Sequence, residues 1–170
     1  MKKAVFLDRD GVINDNKKHV NKPSDLVIYD EAKEGMKRLY DAGYELFVVT
    51  NQGGIELGHV TREEMEMIHK KMLEDLGSYC NITDIKYCPD FKRESECRKP
   101  KPGMILELAE KYNISLKDSW MVGDMDTDIE AGKRAGCKTV KIGKPNSLAE
   151  SNVRNLNEAA DKILKIIYNS

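Results

Sequence analysis

The segment Asp8-Arg9-Asp10-Gly11 sets two carboxylates two residues apart at the end of the apolar run Ala4–Leu7. If the chain stays extended, residues i and i+2 point to one side of the backbone. Gly11 then lets the chain turn away without a side-chain clash. Two acids so placed can supply a nucleophile, an acid/base and a metal seat. Taken alone they could equally be solvated acids at a strand end, but three later segments add complementary chemistry. Thr50-Asn51-Gln52-Gly53 offers a hydroxyl and amides after a second apolar run. Arg98-Lys99, with Lys101 nearby, brings fixed positive charge, and Gly123-Asp124, followed by Asp126 and Asp128, brings more acids. A few carboxylates suffice to hold magnesium, which prefers oxygen ligands and keeps several waters. Phosphoryl transfer asks for a nucleophile, which an Asp can be, and for neutralisation of the charge on the equatorial oxygens.

These residues act together only if the fold gathers them. Short apolar runs alternate with helical patterns along the chain. The pattern predicts strands at Ala4–Leu7, Tyr44–Val49, Ile82–Cys88, Ser119–Val122 and Thr139–Ile142. Helices are expected at Asp30–Asp41 (capped by Asp30, stopped by Gly43), from the Thr61/Glu64 capping box to Leu76, and at Gly103–Tyr112, Asp126–Ala135 and Leu156–Tyr168. The order βαβαβαβαβα is that of an α/β, doubly wound parallel sheet, whose right-handed crossovers collect the strand ends at one edge. The polar segment from Gly11 to Ile28 reads as a flap over that edge. Gly53 to Thr61 is only a loop, so no large cap domain is expected, and residues 1–170 read as one domain.

Composition narrows the partners. The chain has 170 residues, a formal charge of −1 and 34% charged residues, giving no global attraction to nucleic acid or anionic membrane. No run approaches the roughly 18 apolar residues of a membrane span. Met1-Lys2-Lys3 precedes too short an apolar run to be a signal peptide. Four irregularly spaced cysteines (Cys80, Cys88, Cys97, Cys137) are no secreted disulfide framework. The expectation is a cytoplasmic monomer acting on a small molecule, without nucleic acid or membrane. Met65, Met67 and Met72 read as packing, Lys101 and His69 as surface, and Asp126 as a helix-start acid. His19 lies in the flap, where it could touch a ligand; none of the three histidines has metal-ligand spacing.

Asp8-x-Asp10, Thr50, Lys99 and Gly123-Asp124-x-x-x-Asp128 resemble, in order, the four motifs of the haloacid dehalogenase superfamily of phosphotransferases. FLDRDGVIN, VVTNQGGIELG, CRKPKPGM and MVGDMDTDIEAGKRAG resemble its branch of heptose bisphosphate phosphatases and histidinol-phosphatase relatives. The resemblance implies that Asp8 attacks phosphorus and that Asp10 is the acid/base. It implies that Mg2+ sits on Asp8, the Asp10 carbonyl and Asp124, and that Thr50 and Lys99 hold the phosphoryl group. Asp128 would orient Lys99 or a metal-bound water. Arg98 would meet a second phosphate, with Asn16, His19, Asn51, Gln52 and Gly53 as further substrate contacts. The implied reaction removes the 7-phosphate of D-glycero-D-manno-heptose 1,7-bisphosphate; histidinol phosphate is the alternative. From another class, a phospho-receiver or a non-catalytic sugar-phosphate binder remains open.

Many members of that branch carry a zinc loop of Cys-x-His and Cys-x-Cys. Here the stretch is Cys88-Pro89-Asp90 and Ser95-Glu96-Cys97, so Cys88 and Cys97 are only a partial ligand set and zinc is not expected. A disulfide between them is disfavoured by the expected cytoplasmic location.

Overall fold

A computed structural model of the protein describes residues 1–165. Six strands form one parallel sheet: β1 (Ala4–Leu7), β2 (Glu45–Asn51), β3 (Asp84–Cys88), β4 (Trp120–Gly123), β5 (Lys138–Ile142) and β6 (Ser151–Val153). Their spatial order is β3-β2-β1-β4-β5-β6. The helices are α1 (Asp30–Asp41), α2 (Arg62–Leu76), α3 (Gly103–Tyr112), α4 (Asp126–Ala135) and α5 (Leu156–Ile163). Among the described residues no helix is long and apolar enough to cross a membrane.

Strand alternation explains how one sheet serves two cores. Val5 and Leu7 face the cluster built with Met36 and Leu39 of α1, Met65, Ile68 and Met72 of α2, and Leu156 of α5. Ala4 and Phe6 face the opposite cluster, with Met104, Ile105 and Leu108 of α3 and Ala131 of α4. All four β1 residues are fully buried, as a central strand covered on both faces requires. Chain direction across the sheet reverses between β1 and β4, and open α/β sheets bind ligands at the carboxyl ends of strands at such a point. Asp8 and Asp124 directly follow or lie just beyond those two strands.

The structure departs from the sequence reading at several points. β6 is a short added strand, too polar in sequence to stand out. β2 continues through Asn51, so Thr50 belongs to the strand and its orientation is set by the pleat. Asp30 is the first residue of α1, where its charge suits the helix dipole, but Tyr29 is the cap residue and no side chain caps it. The Thr61/Glu64 capping box does form. The expected run of the last helix to Tyr168 lies partly outside the described residues. The segment from Gly11 to Ile28 is not a free flap: Val12, Ile13, Val20 and Leu26 are buried in the core, and Asn14 bridges Ile28 in antiparallel fashion.

His69 is the clearest correction. It is buried, not at the surface, because Met65, Ile68, His69, Met72 and Leu76 form one inward stripe of α2. Met67 lies off that stripe and is 57% exposed, so it is not a packing residue.

Helix α4, which presents Asp128, sits very close to the sheet. A Cβ at Gly132 would fall 2.6 Å from Met121 Cβ and 2.8 Å from Thr139 Cγ2. Neither neighbour is the far end of a flexible chain. Gly132→Ala is therefore expected to destabilise by about 1–3 kcal/mol through overpacking, read by urea denaturation; unchanged stability would contradict this seating of α4.

Candidate active site

The centre of the site is a buried group of charges. The Asp8 N–H donates to the Val122 carbonyl at 3.1 Å, which extends the β1–β4 ladder by one residue and fixes Asp8 at the sheet edge. Lys99 Nζ lies 3.2 Å from an Asp8 oxygen and 2.5 Å from Asp128, and donates to the Val49 carbonyl at 2.8 Å. Carboxylate oxygens of Asp8, Asp124 and Asp128 all lie within 4.8 Å of one another. Three carboxylates thus face one ammonium, with little solvent to screen them. Burial, then the charge of Asp128, pushes the Asp8 carboxyl up to about 8, with Asp124 and Asp10 adding to the rise and Lys99 opposing it. Asp124 is also raised, by burial and by Asp128. Burial works against the charge of Lys99, but Asp8 and Asp128 outweigh it and its pKa is raised.

Asp124 Oδ1 is buried and has no hydrogen-bond partner. An orphaned carboxylate oxygen beside uncompensated negative charge is the donor set a hard divalent cation needs. The residues present therefore fit Mg2+, with Asp8 and Asp124 free to face it. Asp128 is occupied by Lys99 and by the Met125 N–H at 3.0 Å. Gly11 has φ +81°, and a Cβ there would fall 2.1 Å from Asp124 Oδ2. Both the backbone conformation and the close approach require glycine.

Asp10 faces a different set of partners. Arg9 Nε lies 3.0 Å from its Oδ1, and Arg9 Nη2 lies 3.3 Å from its Oδ2. Asn14 Nδ2 and Gln52 Nε2 each donate to it at 3.0 Å. Burial would raise Asp10, but the Arg9 charge and the donated hydrogen bonds prevail and lower it. The two carboxylates of the Asp-x-Asp pair are thus pushed apart, Asp8 up and Asp10 down. Arg9 is 1% exposed, and its Nη1 also approaches His69 Nε2 at 3.1 Å.

The remaining expected residues divide between two adjoining hollows. Thr50, Lys99, Asp124, Thr127 and Asp128 line an inner cleft of about 310 Å³ with Asp8 and Asp10. Thr50 Oγ1 accepts from Gln52 at 2.9 Å. The Asn51 amide is turned to the main chain of Lys99, donating to its carbonyl at 3.2 Å and accepting from its N–H at 3.0 Å. It holds the lysine loop to β2. A larger outer cavity of about 660 Å³ is lined by Gln52, Gly53, Lys18, His19, His59 and Phe91 among others. Asp10, Asn16, Asn51 and Arg98 line both. His19 is exposed on the rim. Asn16 Nδ2 reaches Asp124 Oδ2 at 3.5 Å.

Arg98 is held on the rim by the Asp90 carbonyl, to which Nη1 donates at 2.9 Å, and by the Phe91 ring 5.0 Å away. The rim loop is itself pinned. Glu56 accepts from the N–H groups of Lys92 and Arg93, and Cys88 and Cys97 are joined as a disulfide. The disulfide corrects the sequence reading: the loop doubles back so that the two Cα atoms lie 5.5 Å apart, within bonding range. Ser95 Oγ lies 3.3 Å from Cys88 Sγ and 3.1 Å from Cys97 Sγ, and an Asp90 oxygen lies 3.8 Å from Cys97 Sγ. Arg9, Asn14, His69 and Phe91 were absent from the sequence-based site. Arg9 lies between the two acids, and His69 on the apolar stripe of α2; both signals were readable.

The family described as HAD-hydrolase-like matches residues 96–165. The D-glycero-alpha-D-manno-heptose-1,7-bisphosphate 7-phosphatase of Photorhabdus laumondii is 38% identical over 159 residues, covering 85% of this chain and 86% of its own. The chain belongs to the haloacid dehalogenase-like phosphatases. The D-glycero-beta-D-manno-heptose-1,7-bisphosphate 7-phosphatase of Vibrio cholerae is 39% identical over 158 residues, covering 85% and 84%. Among solved structures, the D,D-heptose 1,7-bisphosphate phosphatase from B. bronchiseptica, complexed with magnesium and phosphate, superposes with a TM-score of 0.87. It is 27% identical and the match covers 97% of this chain and 99% of that one. Among the described residues of this haloacid dehalogenase-like phosphatase, no large cap domain interrupts the sheet.

Burial, then the Arg9 charge beside it, pushes His69 down to about 4. The imidazole stays neutral in the fold while the unfolded chain protonates near its ordinary 6.5. Stability is therefore intact above pH 6.5 and is lost as pH falls towards 4. At about 1.4 kcal/mol per unit, the loss approaches roughly 3 kcal/mol. Urea denaturation at pH 7 and pH 4 is expected to show a larger drop for the native chain than for His69→Gln. Equal drops would contradict a neutral, buried His69.

Proposed function

We propose that this phosphatase removes the 7-phosphate of D-glycero-D-manno-heptose 1,7-bisphosphate through an aspartyl-phosphate, with Mg2+ as cofactor. The observation that carries this reading is the buried carboxylate Asp8, set against Lys99 and the unpartnered oxygen of Asp124. The names of the Photorhabdus and Vibrio relatives support the substrate. So does the pair of adjoining hollows: an inner cleft for one phosphate, and an outer cavity with Arg98 on its rim for the rest of a bisphosphate.

The residues then take the following parts. An Asp8 oxygen attacks phosphorus, and the bond from phosphorus to the sugar oxygen breaks. Asp10, ionised at rest, takes up a proton from solvent as the substrate binds and gives it to the departing oxygen. The arriving phosphoryl group adds negative charge beside Asp10 and opposes its ionisation, which offsets the pull of Arg9. Lys99 and Thr50 hold the equatorial oxygens, where charge accumulates. A water then attacks the phosphorus and passes a proton to Asp10, the acyl-phosphate bond breaks, and Asp8 and inorganic phosphate are released. Asp8, the Asp10 carbonyl and Asp124 are the residues that would hold Mg2+, which supplies charge neutralisation at the phosphoryl group. Asp128 keeps Lys99 in place. Gln52, Asn16, His19 and Gly53 border the sugar.

The two cations should separate experimentally. Arg98 meets a distant phosphate equally in ground and transition states, so Arg98→Ala is expected to raise KM for the bisphosphate. The cost is about 1–3 kcal/mol for a charged hydrogen bond, with little change on p-nitrophenyl phosphate. Lys99→Ala is expected to depress kcat on both, and removal of Mg2+ to abolish turnover. A phosphate-release panel with both anomers of the bisphosphate and histidinol phosphate reads the outcome. Preference for histidinol phosphate, or equal behaviour of the two variants on both substrates, would overturn the bisphosphate reading.

A further inference from the structure

Arg9 is not accounted for by the chemistry above. It is the largest side chain that is fully buried, and it stands between the nucleophile and the acid/base. Its guanidinium presents two edges to two elements. Nε and Nη2 fork onto the Asp10 carboxylate at 3.0 and 3.3 Å. Nη1 turns away to α2, where Met65 Sδ lies at 3.3 Å and His69 Nε2 at 3.1 Å. Arginine has five donors and no acceptor, so His69 must accept through Nε2 and carry its proton on Nδ1. The His69 ring is held in turn against Tyr87, with centroids 5.5 Å apart. Asp10 sits in the tight turn after β1, where Ile13 and Asn14 both donate to the Arg9 carbonyl. Among the described residues, the guanidinium is what ties the Asp10 carboxylate to α2.

We propose that Arg9 is a positioning residue for Asp10, and that neutral His69 is the acceptor that holds Arg9 in the required orientation. The inference rests on the reading of Asp10 as the acid/base of this phosphatase. Burying a charged guanidinium is expensive, and an apolar pair of similar volume is often as stable or more so. A fork that fixes both oxygens of a carboxylate does something an apolar pair cannot: it sets the direction in which the carboxyl delivers its proton. Gln52 and Asn14 each add one contact to Asp10, but neither spans both oxygens.

The direction of proton delivery matters most when the leaving group is poor. p-Nitrophenolate departs with little help, whereas phenolate and a sugar alkoxide need the proton. Since kcat/KM reports the steps up to departure of the alcohol, it isolates this half of the reaction. The test compares kcat/KM for phenyl phosphate and p-nitrophenyl phosphate in the magnesium-loaded full chain. Arg9→Lys keeps the charge without the fork, His69→Leu removes the acceptor, and His69→Gln restores one through its amide oxygen. Arg9→Lys and His69→Leu are each expected to lose at least tenfold more on phenyl phosphate than on p-nitrophenyl phosphate. His69→Gln is expected to stay within a few-fold of the native ratio. A purely structural role would lower both substrates alike, and that result, in variants whose thermal melts show them folded, would overturn the proposal. So would a His69→Gln ratio no better than that of His69→Leu. Asp8→Asn is run alongside: if it abolishes both substrates while the Arg9 and His69 variants lose both equally, the positioning role is rejected and the phosphatase reading stands. If Asp8→Asn leaves both substrates turned over, it is the underlying reading that fails, and the positioning role with it.

Discussion

The structure depends on one electrostatic imbalance. Where the strand order switches between β1 and β4, Asp8, Asp124 and Asp128 share a buried space with a single ammonium, that of Lys99. Such a group is unstable against self-repulsion unless something else supplies positive charge; Asp8 rises to about 8, first through burial and then through the charge of Asp128. The surrounding architecture holds the charges in place regardless. Asp8 is locked into the β1–β4 ladder, Lys99 is fixed by the Val49 carbonyl and by Asn51, and Asp124 closes over Gly11. A site preorganised to lack positive charge is one that binds a cation and stabilises a phosphoryl group without further reorganisation.

A second level of organisation lies around Asp10. The two acids of one short motif are kept in opposite states by their settings: Asp8 by burial among carboxylates, Asp10 by a guanidinium and two amides. One environment suits a nucleophile that is fully charged only once a cation arrives. The other holds Asp10 ionised at rest, so the charge of an arriving phosphoryl group must offset Arg9 before Asp10 can carry a proton. The division follows from the bend at Arg9, just after β1, which leaves Asp8 against Lys99 and Asp10 against Arg9, Asn14 and Gln52.

Much of this was legible in the sequence because it rests on local rules. Apolar runs ending in polar clusters marked five of the six strands, and the motif residues fell on strand ends where the topology gathers them. Asp8, Thr50 and Asp124, at or just beyond strand ends, line the inner cleft together. What escaped depended on contacts between distant segments. β6 has no apolar run to announce it. The Cys88–Cys97 bond requires the rim loop to double back, which spacing does not reveal. Asn51, which lines both hollows, also bonds through its amide to the main chain of Lys99, a link between distant segments. His69 was misjudged as a polar residue on a charged helix, although its spacing from Met65 and Met72 already placed it on the inward face.

The most direct measurement of the central claim is rapid acid quench of the magnesium-loaded enzyme with phosphate-labelled bisphosphate. The account expects burst labelling of the protein within one turnover, released by hydroxylamine as an acyl phosphate should be, mapping to the peptide that contains Asp8 and absent in Asp8→Asn. Turnover with no labelled protein, or label carried on a residue other than Asp8, would contradict it.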